Sequence, residues 1–201
     1  MSEITLQPEI DRRQSLKEQV RLLKSYLRAI FSPRETGTLV KGLEPEEGVS
    51  PQDRQIYLRD RILNNLATKG ILASPEERFK VYNKDFGISS YSAPEAFLQY
   101  GGGKTDIDPQ TGKIKIYLNP HFASFKPDYQ LLTLLEEAMH RVQLRKSEGR
   151  RITWQDELEA SKKLLRMADY LGLSQERVGY LKEVTKARQA MAKKEEDNFI
   201  K

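Results

Sequence analysis

Residues 128–146 read DYQLLTLLEEAMHRVQLRK, and this stretch decides the fold class. Leu131, Leu132, Leu134, Leu135, Ala138, Met139 and Val142 recur at helical steps and cover most of a helical wheel. Glu136, Glu137 and His140 share one arc, because positions three and four apart are neighbours on a helix. The stretch predicts a largely buried helix, roughly Asp128 to Lys146, with one narrow ionisable stripe. Taken alone, a stripe of that kind is explained by solvent.

The next segment changes the balance. A second helix is predicted from Trp154 to Leu171, with Thr153 as its N-cap and Gly172 as its end. On its wheel Glu157 falls on the apolar face with Trp154, Ser161, Leu164, Leu165, Ala168 and Leu171, while Glu159, Lys162, Lys163 and Arg166 lie opposite. The helix dipole favours an acid in the first turn, but it does not explain an acid pointing inward. An inward carboxylate must be neutralised, hydrogen-bonded or bound to a cation. The connection from Ser147 to Thr153 is short enough for antiparallel neighbours. Glu136, Glu137, His140 and Glu157 therefore form a candidate divalent-cation site. A third helix is expected after Ser174, and the charged tail from Lys193 to Lys201 is expected to fray.

Strands are expected upstream. Arg78 to Tyr82 alternates polar and apolar, and Ala96–Tyr100 and Lys113–Leu118 flank a turn-rich stretch from Gly101 to Gly112, a hairpin pattern that Asn119-Pro120 ends. Gly101-Gly102-Gly103-Lys104-Thr105 is not a phosphate loop, because Leu98 stands where the first glycine is required and a strand follows in place of a helix. His121 reads as a loop residue. Closer to the N-terminus, Leu16, Val20, Leu23, Leu27 and Ile30 mark an amphipathic helix. Ser32 to Ser50 reads as a linker, and Ser50-Pro51 opens a further helix that Gly70 ends. The fold class expected is α+β, predominantly helical with a small antiparallel sheet. Residues 1–50 form an N-terminal helix and linker, and residues 51–201 form the α+β domain with its C-terminal helices.

Composition narrows the chemistry. The 201 residues are 38% hydrophobic and 31% charged, which suits a modest core under a well-solvated surface. A net charge of +5 is mild, so nucleic-acid binding is only weakly indicated. With no cysteine there is no disulfide, thiolate metal site or cysteine nucleophile. No basic start followed by an apolar run marks a signal peptide, and no stretch approaches the ~18 apolar residues of a membrane span. The cytoplasm is the expected location.

The run Leu134-Leu135-Glu136-Glu137-Ala138-Met139-His140-Arg141-Val142-Gln143, followed by Trp154-Gln155-Asp156-Glu157-Leu158-Glu159-Ala160-Ser161, resembles a zincin metallopeptidase of the glutamate-ligand (gluzincin) type. The similarity covers about Tyr91 to Leu173 and extends to short metallopeptidase domains of mobile-element and toxin-like proteins. The resemblance implies a zincin-like fold and a peptide or protein substrate. It makes Glu137 the general base and His140 and Glu157 metal ligands. Ile114 to Leu118 would be the edge strand that lines up substrate. Two positions depart from the family pattern: Glu136 replaces the first histidine of His-Glu-x-x-His, and Ser161 replaces the aspartate of Glu-x-Glu-Ala-Asp. Glu136 can still ligate a divalent ion, zinc first and manganese or iron as alternatives. Two anionic ligands would leave peptide hydrolysis weakened or lost. The alternative function is a non-enzymatic protein, of mobile-element or phage type, that binds a protein or nucleic-acid partner. A di-iron centre needs Glu-x-x-His twice, and Leu118 stands three residues before His121, the second histidine.

Overall fold

The computed structural model describes residues 16–25, 27–28, 49–87, 101–148 and 151–199. Residues 16–25 and 27–28 are helical. There follow α1 (Pro51–Thr68), α2 (Pro75–Phe86), β1 (Gly103–Ile107), β2 (Ile114–Leu118), a 3-10 turn (Phe122–Ser124), α3 (Pro127–Lys146), α4 (Trp154–Arg166) and α5 (Gln175–Phe199). The protein is mostly helical with a two-stranded antiparallel sheet, an α+β architecture.

Helix starts follow the local chemistry. The Ser50 hydroxyl accepts from Asp53 N with Pro51 at the first helical position, and Ser74 and Glu77 form a reciprocal capping box for α2. Thr153 and Asp156 do the same for α4, and Ser174 Oγ accepts from Arg177 N at 3.2 Å to open α5. The capping box at Ser74 explains why Arg78 to Tyr82 is helix α2 and not the expected strand. Five alternating residues fit one helical face as well as a strand, and the cap together with left-handed Gly87 (φ 68°) sets the outcome. The expected strand at Ala96–Tyr100 and the linker over 32–48 lie outside the described residues.

The first hairpin strand is Gly103–Ile107, inside the stretch expected to be a turn. It pairs with β2 in the register Gly103↔Leu118 to Ile107↔Ile114. The turn itself shrinks to residues 108–113. Asp108 Oδ1 accepts from Gln110 N at 2.9 Å, Oδ2 accepts from Thr111 Oγ1 at 2.7 Å, and Gly112 takes a positive φ of 66°. Lys115 Nζ joins Asp108 to Glu77 of α2 at 3.0 and 2.6 Å. On the far side β2 meets residues 71–73: Ile116 N donates to Ile71 O at 2.9 Å, and Ala73 N donates to Ile116 O at 3.0 Å. β2 is therefore flanked on both sides.

The core is one cluster centred on α3. Leu131, Leu134, Leu135 and Ala138 are essentially inaccessible and pack with Leu58, Ile62 and Leu66 of α1 and Ile116 and Leu118 of β2. Val20, Leu23 and Leu27 belong to the same cluster, and Gln19 Oε1 accepts from Tyr170 N at 2.8 Å. Gln55 of α1 donates to the carbonyls of Leu171 and Gly172, which fixes the chain between α4 and α5. Helix α4 ends at Arg166, five residues before the expected Leu171, and irregular turns carry the chain to Gly172. The tail does not fray as expected, since α5 runs to Phe199.

Two glycines set how closely the sheet meets α3. A β-carbon at Gly102 would stand 2.0 Å from Thr133 Oγ1, and one at Gly103 would stand 2.9 Å from Glu137 Cγ. Gly102→Ala is expected to cost about 1–3 kcal/mol through overpacking. A lowered melting temperature, partly restored in Gly102→Ala/Thr133→Ala, checks this.

Candidate metal centre

Helix α3 brings Glu136, Glu137 and His140 to the sheet side of a cleft of about 1060 Å³, and α4 brings Glu157 to the same place. One ligand atom each from Glu136, His140 and Glu157 lies within 4.8 Å of the others. His140 Nε2 is 3.4 Å from Glu157 Oε2. All four sequence-predicted residues thus line one cleft; Glu137 and His140 of the α3 stripe are buried, and Glu136 is partly exposed.

The imidazole is oriented by a relay. Gln143 Nε2 donates to the Asp156 carbonyl at 3.0 Å, which turns its Oε1 toward the ring. That oxygen lies 2.8 Å from His140 Nδ1. Nδ1 therefore donates to Gln143 Oε1, and Nε2 is the nitrogen that faces Glu157.

Glu137 is held differently. Thr105 Oγ1 of β1 lies 2.7 Å from Glu137 Oε2 and 2.9 Å from the Glu137 carbonyl oxygen. Burial pushes the Glu137 carboxyl up to about 7; Glu136 and Glu157 add to the rise, and His140 and Thr105 oppose it. For His140 burial works against the cation, but Glu157, Glu137 and Glu136 outweigh it and raise the ring to about 9. Burial also opposes the Glu157 carboxylate, yet His140 and Arg188 keep it below its usual value.

Three residues of the site were not predicted. Arg188 of α5 reaches between the two outer carboxylates, with Nη1 2.5 Å from Glu136 Oε1 and Nη2 2.7 Å from Glu157 Oε2. Its signal was present in the sequence: Leu181, Val184 and Arg188 share one helical stripe, so the arginine points inward for the reason Glu157 does. Thr105 was hidden by reading β1 as a turn, and Gln143 had no signal of its own. His121 lies in the turn before α3 and not at the cleft. The strand beside the site is β1, correcting the expectation for Ile114–Leu118: Gly103 to Ile107 line the cleft, whereas β2 lies behind them. Among the described residues no strand pairs with the other edge of β1.

No protein-family model, curated protein or solved structure matches this chain. No helix of the described residues is long and apolar enough to cross a membrane.

The raised values have a signed consequence. Glu137 moves from 4.5 to about 7 and His140 from 6.5 to about 9, so the folded protein binds protons that the unfolded chain has released. Their contribution to stability is full at low pH and is lost as pH rises through those folded values. Metal-free protein is expected to show a falling urea midpoint between pH 5 and pH 9. Glu137→Gln should flatten the lower half of that fall, and an unchanged slope would refute the assignment.

Proposed function

We propose that the chain is a zincin-like metallopeptidase relative, with Glu136, His140 and Glu157 as the ligands of one divalent cation and a peptide as substrate. The observation that carries this reading is the convergence of those three donors within 4.8 Å beside buried Glu137. The donor set of one imidazole and two carboxylates suits zinc, with manganese or iron as alternatives. One atom of the site also fits a cation. Glu157 Oε2 is shut off from solvent and accepts no aligned hydrogen bond, although Arg188 and His140 are both near. A spherical ion makes no angular demand that this oxygen fails to meet.

When bound, the metal would polarise a carbonyl and make water acidic near neutral pH. The chain does the rest. Glu137, buried beside the donors, would take a proton from the attacking water and return it to the leaving amine. Thr105 fixes the carboxyl orientation, and Gln143 holds the ring of His140. The edge of β1 that no described strand pairs would offer backbone groups to an extended peptide. Carboxylate donation from both Glu136 and Glu157 makes the expected turnover slow. A second reading, a non-enzymatic binding protein on the same scaffold, is favoured by one observation: the Arg188 guanidinium already pairs with both carboxylates.

Metal analysis after equilibration with zinc should give one ion per chain, lost in His140→Ala and in Glu157→Ala. Glu137→Gln should keep the ion and abolish cleavage of a casein or peptide-library substrate. Zinc content unaffected by either ligand change would overturn the proposal.

A further inference from the structure

Resting on the cation-centre reading above, we infer that Arg188 is a built-in competitor of the metal, and that α5 is a plug that must yield before the site fills. The same two carboxylates that would hold a divalent ion are spanned by the two terminal nitrogens of one guanidinium, at 2.5 and 2.7 Å. Two cations cannot occupy that gap together. Arginine stays charged at any working pH, so it is displaced only by movement and not by deprotonation.

The fit of the plug is imperfect, and this makes exchange feasible. Glu157 Oε2 lies close to Nη2 but receives no aligned hydrogen bond from it. The planar fork gives Glu136 an aligned hydrogen bond and pairs with Glu157 by charge alone. A buried carboxylate oxygen left in that state loses part of what it gave up in leaving water. His140, 94% buried by its 6% side-chain exposure, aims Nε2 at the same oxygen from 3.4 Å.

The helix that carries Arg188 packs chiefly on α4. Among its described side chains only Leu181 and Ala192 are fully buried. Beyond them, Trp154 N donates to Glu195 Oε2 at 2.9 Å, and Arg177 lies against the ring of Tyr129. With fewer buried side chains than α3, α5 opens at lower cost than that core helix. Displacing α5 would also widen the cleft along Leu181 and Val184, so metal entry and substrate entry become one event.

The test compares zinc affinity of the full-length wild type with Arg188→Gln and Arg188→Lys, by competition against a chromogenic chelator. Arg188→Gln is expected to bind zinc about tenfold more tightly or better, in the ordinary range of coupling between two competing events. Arg188→Lys should fall between, since one ammonium cannot span both carboxylates, and Arg188→Gln/His140→Ala should lose the gain. In wild-type protein, zinc should accelerate amide hydrogen exchange across Gln175–Phe199. Equal or weaker binding by Arg188→Gln overturns the inference, as does exchange in α5 that zinc leaves unchanged. Equal zinc uptake that still depends on His140 removes the plug and leaves the cation centre standing. Uptake by neither protein removes both. Should Arg188→Gln fail to fold by circular dichroism, the lysine variant and wild-type exchange decide the matter.

Discussion

A helix buried on nearly every side cannot leave its ionisable groups to water. That constraint on α3 organises the rest of the molecule. Glu136, Glu137 and His140 sit on a helix whose other faces are filled by leucines packed on α1 and the sheet. Each charge therefore needs a partner within the protein. Thr105 comes from β1, Glu157 from α4, Arg188 from α5, and Gln143 from the next turn of α3 itself. The arrangement of the strands and helices around α3 is, in electrostatic terms, the set of answers to that one demand.

The helical half of the fold was legible because its signals are local. Periodicity placed α3, caps placed the starts of α1, α4 and α5, and an acid in the apolar stripe of α4 located Glu157. The sheet was read poorly for an equally physical reason. β1 is five residues rich in small and polar side chains, GKTDI, and its pairing is made by backbone bonds to β2 that composition does not encode. Gly102 and Gly103 looked like turn residues, yet they are required by close approach to Thr133 and Glu137. α2 was misread because a capping box outweighs five alternating residues.

The site was legible in its donors and hidden in its restraints. Carboxylates and a histidine announce themselves by type and spacing. Arg188 lies 31 residues beyond Glu157, and its partners are visible only once α4 and α5 pack together. A charged residue within an apolar stripe carries information about a distant partner, and the inward acid of α4 and the inward base of α5 are two ends of the same contact.

Asp156 has two tasks in this structure. Its side chain closes the N-terminal cap of α4, and its backbone carbonyl receives the amide that steers the imidazole of His140. The aim of the ring is thereby registered to the first turn of α4 and owes nothing to the path of the chain between Ser147 and Thr153. A change of length in the first part of that connection would be absorbed before the cap and would leave the ring where it is. Arg151 and Ile152 of the same connection line the cleft, so the stretch just before the cap shapes the site's wall while the cap sets the ring.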